Sequence, residues 1–393
     1  MPQVFQTANL GSLELKNRLI HSATFECMAD ENGAVTDLLV KRYVNLAKGE
    51  VGLIIPGYMY VHSRGKAFAR QTGIHDDRLI PGLARLVDAV HAAEGLIAFQ
   101  LAHGGRQCPK KVIGKAPLAP SGFGRDPASM NKPAAMTEAD IQEVIASFAK
   151  AAKRAFEAGA DAIQLHCAHG YLLNEFLSPF FNRRHDQWGG SPENNFRLLR
   201  EIILAIQKTV GKDRGIMVKM NTDDFTPQKG ITPDLAAQYA AWLADLGVAA
   251  LELSGGTFYT FHAVRGDVPI DDLARALSWW MRPMAKMIFK KQVFPCRFQK
   301  LYHLPAAEII KPVIGNMQLI LVGGVRTLGE METVLSESKA DFLSMSRPFI
   351  REPFLAKRMR QGKTNEAACI SCNKCFAAVF NELPLRCYVD GLP

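Results

Sequence analysis

Residues 161–191 read DAIQLHCAHGYLLNEFLSPFFNRRHDQWGGS, and the rest of the chain is organised around them. The segment begins as a buried strand, Ala162-Ile163-Gln164-Leu165, and runs into a polar group of His166, His169 and Tyr171. A strand carried straight through would send His166 and His169 to opposite faces, because side chains alternate with period two. Ala168 and Gly170 stand where the strand can end and bend, which lets both imidazoles and the phenol converge. Two N–H donors and one O–H suit an oxygen that gains negative charge. Alone, the HxxH spacing also fits a satisfied core histidine pair or a metal ligand, so the surrounding chain has to decide.

Outward from this segment, apolar strand-like runs recur at 18–24, 51–58, 95–103, 160–166, 215–221, 248–255, 317–324 and 340–346. Helical-period stretches lie between them at 36–49, 81–95, 137–159, 191–211, 231–247, 304–315, 327–340 and 353–362. Thr36 and Gly49 bound the first, Thr137 and Asp140 have capping-box spacing, and Pro312 interrupts 304–315. Eight near-continuous apolar strands, each followed by a helix, predict parallel pairing buried on both faces. The predicted fold is α/β: a (β/α)8 TIM barrel with an N-terminal hairpin near Asn9-Leu10-Gly11 and a Cys-rich C-terminal tail. Residues 1–362 are expected to form the barrel, and 363–393 a Cys-rich segment packed on it. A doubly wound open sheet is the alternative, but no GxGxxG opens a helix. Barrel active sites lie at the C-terminal strand ends. Thr24, Gln100, His103, His166, Lys219, Ser254 and Arg347 all fall there. Residues 104–136 and 256–303 exceed ordinary barrel loops and read as functional.

The 393 residues are 48% hydrophobic and 22% charged, ordinary values for a globular enzyme. The start, MPQVFQTANLGSL, has no charged-then-apolar signal pattern, and no apolar run approaches the ~18 residues of a membrane span. A cytoplasmic protein, with no membrane span and assembled as a homo-oligomer, is expected. The formal charge is +9, but residues 281–300, MRPMAKMIFKKQVFPCRFQK, carry six Lys or Arg and no acid; without them the charge is +3. The excess belongs to one segment, either a solvated loop or a dock for an anionic substrate, partner or lipid. A nucleic-acid function has nothing else behind it and is set aside.

Two groups of residues carry the remaining chemistry. LVGGVRTLGE (321–330) is a strand ending in Gly323-Gly324 that leads into a helix, and SMSRPF (344–349) ends the next strand with Ser346 and Arg347. Bare backbone N–H groups and a guanidinium at these two adjacent strand ends suit a phosphate; a purely structural turn is the other reading. Gln100 and Lys219 fall on strand tips where a buried amide and cation need partners. Gln100 would satisfy a heteroaromatic ring with carbonyl and N–H edges, and Lys219 a ring that becomes anionic on reduction. Together with the phosphate site, they describe a flavin mononucleotide (FMN) pocket.

At this point the residues resemble the Old Yellow Enzyme family of FMN-dependent ene-reductases and NADH:flavin oxidoreductases. The resemblance runs from about residue 4 to 360 and is most specific in HCAHGYLLNEFLSPFFNRRHDQWGGSPENNFR (166–197). LKNRLIHSAT, AFQLAHGGRQ and LVGGVR with SMSRPFIREP support it. It implies that His166 and His169 hold the substrate's carbonyl or nitro oxygen, while Tyr171 delivers a proton. It further implies that Gln100 and Lys219 bind the isoalloxazine, that Gly323, Gly324, Ser346 and Arg347 bind the FMN phosphate, and that Ala23 and Thr24 line the flavin. NAD(P)H would be the reductant, and an activated alkene or carbonyl compound the substrate. The chain departs from the family at Phe25 in SATFE, where Cys or Thr often hydrogen-bonds the flavin O4. Thr24 is the neighbouring hydroxyl.

The tail CISCNKCFAAVFNELPLRC spaces Cys369, Cys372, Cys375 and Cys387 as C-x2-C-x2-C-x11-C. Four thiolates at such spacing suit a [4Fe–4S] cluster or zinc, with free thiols in a packed segment as the alternative. The segment resembles the cluster region of the larger 2,4-dienoyl-CoA reductase and trimethylamine dehydrogenase relatives. Two further functions follow as alternatives: an enoyl- or dienoyl-CoA reductase using 281–300 for the CoA phosphates, or an electron-transfer flavoprotein using the cysteine tail.

Overall fold

The computed structural model describes residues 1–126, 130–257, 261–293 and 296–393. The remaining positions fall in the two long loops, and 294–295 of the basic segment thus lie outside the described residues. Among the described residues there are thirteen strands: β1 (Ala8–Leu10), β2 (Leu13–Leu15), β3 (Leu19–His21), β4 (Leu53–Ile54), β5 (Met59–Tyr60), β6 (Ala98–Ala102), β7 (Leu118–Ala119), β8 (Ala134–Ala135), β9 (Ala162–Cys167), β10 (Ile216–Asn221), β11 (Ala250–Ser254), β12 (Gln318–Val322) and β13 (Phe342–Met345). Nine pair in parallel in the order β4-β3-β13-β12-β11-β10-β9-β6-β5. The sheet curls until Ile54 bridges Ile97 in parallel, with the Ile54 amide donating to the Leu96 carbonyl at 2.9 Å. This is the predicted barrel. Its second strand, expected over 51–58, is split into β4 and β5. Pro56 lies in the gap and has no ladder N–H to give, and the Gly57 amide donates to the Glu26 carboxylate at 2.6 Å instead.

All eight expected helices form, each near its predicted span, among them Asp37–Lys48, Glu138–Glu157 and Pro192–Val210. Thr36, Ser191 and Thr232 cap with their hydroxyls, and Thr137 with Asp140 makes a full capping box. The helix over 304–315 is cut at Ile310, just before Pro312, and continues as a 3-10 turn over Lys311–Val313.

Period-two alternation divides the barrel interior into layers. At the N-terminal end Ile20, Leu53, Ala98, Ala162, Met217 and Ala250 form an apolar floor. The β1–β2 hairpin turns at Gly11 (φ 58°) and plugs that floor with Leu10 and Leu15, both fully buried. Burying each leucine stabilises the plug by about 1.5–3 kcal/mol. Two residues further along most of these strands the interior turns polar, with Ser22, Gln100, Gln164, Lys219, Glu252 and Ser344 all buried, while the second strand continues apolar at Ile55. The candidate site stands on this polar layer.

Candidate active site

Strand β9 ends at Cys167, and the backbone then turns through left-handed His169 (φ 64°) and Gly170 (φ 74°). Gly170 bends as expected, and the left-handed residue beside it is His169 rather than Ala168. A left-handed histidine needs outside support. Its amide donates to Asn221 Oδ1 (3.2 Å) and its carbonyl accepts from Gln107 Nε2 (2.8 Å), while Gly170 N donates to Asn174 Oδ1 (2.7 Å). The turn brings the three predicted groups together. The His166 and His169 rings meet edge to face with centroids 5.2 Å apart, and Tyr171 lies 5.1 Å from His166.

Burial sets the charge state of this trio. It pulls the His166 imidazole well below its ordinary range, helped by His169 and Lys219, and it pulls His169 down to about 3, helped by Lys219 and His303. Both rings are therefore neutral near pH 7, each with one N–H to donate. His169 Nε2 is 2.7 Å from Ser254 Oγ, whereas the buried His166 Nδ1 has no hydrogen-bond partner in the protein. Burial also raises the Tyr171 phenol, against the opposing hydrogen bond with Tyr58, so it remains a proton donor.

On the strand beside His166, Lys219 Nζ donates to Ser22 Oγ (2.8 Å) and lies 3.4 Å from Glu252 Oε1. Glu252 also accepts from Ser22 (2.6 Å), Ser344 (2.8 Å) and Gln164 (2.8 Å), and Gln164 in turn accepts from Gln100 (2.6 Å). One fully buried carboxylate thus balances the lysine and ties four strands together. Register makes it so: Lys219 pairs with His166 on one side and Glu252 on the other. FMN fits these residues on chemical grounds. They supply an amide at Gln100, a cation at Lys219 and an unpartnered imidazole nitrogen at His166, all facing the barrel mouth.

The other predicted positions are less uniformly gathered. Thr24 Oγ1 is engaged with Ser346 Oγ at 2.5 Å and the Ser22 carbonyl at 3.1 Å, joining the first and last barrel strands. Ala23 is half-buried against the apolar floor. Phe25 stacks on Phe68 (4.5 Å) and leans on Tyr58. Gly323 and Gly324 have φ of 105° and 78°, and Tyr302 and the backbone of residues 299–301 stand where a Cβ on them would go. The Arg347 guanidinium donates to the Arg265 carbonyl (2.8 Å) and to Asn373 Oδ1 (2.7 Å), so it anchors the C-terminal segment.

Cys369, Cys372, Cys375 and Cys387 line one small cavity with Arg347 and Arg351, and all are free thiols. Among the described residues, however, no three His, Cys, Asp or Glu side chains stand together as a metal site. Burial pushes the Cys375 thiol up to about 12. The donor types and shared cavity suit a cluster, though the four thiols stand too far apart to share one ion.

Sequence reasoning missed Tyr58, Gln164, Glu252 and His303. Glu252 had a signal, since an acid inside the apolar strand ALELS must be paired. Tyr58 and His303 had none, because their place follows from the fold.

A sequence profile of the NADH:flavin oxidoreductase / NADH oxidase family matches residues 3–267. The chain is 33% identical over 392 residues to a 4,4'-dithiodibutanoate disulfide reductase of Rhodococcus erythropolis, covering 99% of this chain and 95% of that one. It is 34% identical over 396 residues to an NADH oxidase of Thermoanaerobacter brockii, covering 99% of this chain but only 56% of the relative. The structure of an old yellow enzyme homologue from Zymomonas mobilis superimposes with a TM-score of 0.76 at 25% identity, covering 94% of this chain and 96% of that one. No described helix is long and apolar enough to cross a membrane.

Proposed function

The chain belongs to the NADH:flavin oxidoreductase / NADH oxidase family and is an NAD(P)H-dependent flavin oxidoreductase; from that premise we propose that it reduces small activated alkenes such as enones or enoates. The chemistry that FMN would supply at this site is hydride carriage between NAD(P)H and the acceptor. In this reading Gln100 and Lys219 hold the isoalloxazine, Ala23 and Thr24 line it, and Gly323, Gly324, Ser346 and Arg347 take the phosphate end. His166 and His169 each offer one N–H to the substrate oxygen as it becomes enolate-like, an effect of about 3 to 4 kcal/mol per donor in comparable oxyanion sites. Tyr171 gives its phenolic proton to the neighbouring carbon.

The observation that supports this most is the buried, neutral imidazole pair beside Tyr171, with one imidazole nitrogen left unpartnered next to the lysine and carboxylate pair. Anaerobic mixing of the purified yellow protein with NAD(P)H, then with a panel of enones, tests it. Flavin reduction without reoxidation by any enone would defeat the alkene reading.

A second acceptor is favoured by the near full-length similarity to a disulfide reductase. A small organic disulfide would take hydride and one proton and leave as two thiols. The same reoxidation experiment with 4,4'-dithiodibutanoate separates the two. Within this reading the barrel spans 1–362, and 363–393 is a distinct Cys-rich segment held by Arg347–Asn373 and by Leu385 N on the Glu26 carbonyl (2.8 Å). The shared cavity supports Cys369, Cys372, Cys375 and Cys387 as ligands of a proposed [4Fe–4S] cluster or zinc, which needs the thiols to draw together. Iron, sulfide and zinc analysis of anaerobically purified protein tests this, and metal-free protein would dismiss it.

A further inference from the structure

Tyr58 is a buried phenol beside the candidate site that takes no part in the steps assigned to His166, His169 and Tyr171. It follows Pro56 and Gly57 in the gap between β4 and β5. That gap is held in place by side chains. The Gly57 amide donates to Glu26 Oε1 (2.6 Å), and Gln71 Nε2 donates to the Tyr58 carbonyl (3.0 Å). The Tyr58 ring packs against His166 (5.4 Å) and Phe25 (6.0 Å), which fixes where its hydroxyl points. Among the described residues that hydroxyl has one hydrogen-bond partner, the Tyr171 hydroxyl at 2.6 Å.

A single hydrogen lies between the two oxygens, and the phenol that owns it decides what Tyr171 can do. Were it the hydrogen of Tyr171, none would be left for the substrate. Tyr171 can protonate a substrate carbon only when Tyr58 is the donor. Proton loss then leaves a phenolate at Tyr171. Burial opposes that charge, as do Cys108 and Asp126, while the hydrogen bond from Tyr58 favours it. A hydrogen bond to an ionised oxygen is roughly twice as strong as one between neutral groups. The Tyr58 contact therefore tightens as the proton leaves, and it favours the transition state over the bound substrate.

We infer that Tyr58 is a positioning residue for proton delivery: its hydroxyl donates to the Tyr171 oxygen, turns the Tyr171 hydrogen toward the substrate and stabilises the phenolate left behind. In the step itself the Tyr171 O–H bond breaks, a C–H bond forms at the enolate carbon, and the O–H electron pair stays on Tyr171. Tyr58 keeps its own hydrogen, and a proton from water restores Tyr171. The inference rests on the alkene reading of the site.

Tyr58→Phe removes the hydroxyl and keeps the ring. The flavin-loaded variant and parent are compared in anaerobic reduction of cyclohexenone and of a nitroalkene, whose nitronate product is a stable anion that needs no proton. Formation of the saturated ketone is expected to slow on the order of 10- to 100-fold in Y58F, and flavin reoxidation by the nitroalkene by no more than about twofold. In a Tyr171→Phe background the same change is expected to move the enone rate by no more than about twofold, because Tyr58 acts through Tyr171. An enone rate equal to the parent's would overturn the inference. So would equal loss with both acceptors, which marks a distorted pocket, or a further loss of about tenfold in the Tyr171→Phe background, which makes Tyr58 itself the proton source. Should Y58F fail to hold flavin, fluorotyrosine placed at position 58 keeps the shape with a more acidic hydroxyl. The enone rate must then rise while the nitroalkene rate stays, and no rise overturns the inference. A parent protein whose reduced flavin no enone reoxidises defeats the alkene reading and this inference together, whereas the other adverse outcomes leave that reading standing.

Discussion

The hydroxyl of Tyr58 lies 2.6 Å from the hydroxyl of Tyr171, and the two rings pack 4.9 Å apart. Tyr58 comes from the gap between the two pieces of the second barrel strand and Tyr171 from the turn after β9, so the contact exists only once the barrel closes. It orients the phenol beside His166. Tyr171→Phe is expected to slow alkene reduction by about 10²–10⁴-fold while leaving flavin reduction by NAD(P)H intact. Stopped-flow measurement of the two half-reactions checks this, and equal loss in both would remove Tyr171 from the proton-donor role.

The Lys219–Glu252 pair gives a stability prediction. Lys219→Met leaves the buried Glu252 without its cation and should cost about 3–5 kcal/mol, read from the urea midpoint. Lys219→Met with Glu252→Leu should recover part of that loss. A single variant as stable as the parent protein would mean that the pair is not charged in the folded state.

Gly324→Ala tests the glycine pair. Its φ of 78° disfavours any side chain, and an added Cβ would run into the Gln299 carbonyl oxygen. We expect a loss of about 1–3 kcal/mol in stability and a lower flavin-to-protein absorbance ratio after gel filtration. Unchanged values for both would show that the segment over residues 299–301 yields freely.

Much of this was legible in the sequence. Near-continuous apolar runs, Thr137 with Asp140 and the breaker at Pro312 located the eight helices that alternate with the barrel strands and all eight of those strands, because those signals are local; the shorter helices inside the loops, such as Leu172–Leu177 and Arg282–Val293, were not expected. The gathering of His166, His169 and Tyr171 was also readable, since one short segment carries all three. What escaped depends on register and closure. Glu252 meets Lys219 because β10 and β11 pair in one register, and Tyr58 reaches Tyr171 across the barrel mouth. The anchoring of Arg347 by Asn373 joins the end of the barrel to the C-terminal segment, which no local pattern encodes.

Buried neutral histidines set the acid side of stability. His21, His103, His169 and His303 are each held at about 3 chiefly by burial, against 6.5 in the unfolded chain. The unfolded chain therefore binds more protons below pH 6.5, and stability present above that pH drains away as pH falls toward 3. His21, whose Nδ1 donates to the Ile55 carbonyl and whose Nε2 faces Arg42, lies away from the catalytic trio. Melting temperatures at pH 7.5 and 5 should differ less in His21→Gln than in the parent protein. A drop of equal size would exclude His21 as a contributor.

The imidazole pair facing the flavin is the centre of the account, and titrating the oxidised yellow protein with a simple phenol measures it most directly. A phenolate held by two neutral N–H donors against the flavin should produce a long-wavelength charge-transfer band, and His166→Ala with His169→Ala should abolish it while the bound flavin spectrum persists. A band of undiminished strength in that double variant would contradict the account.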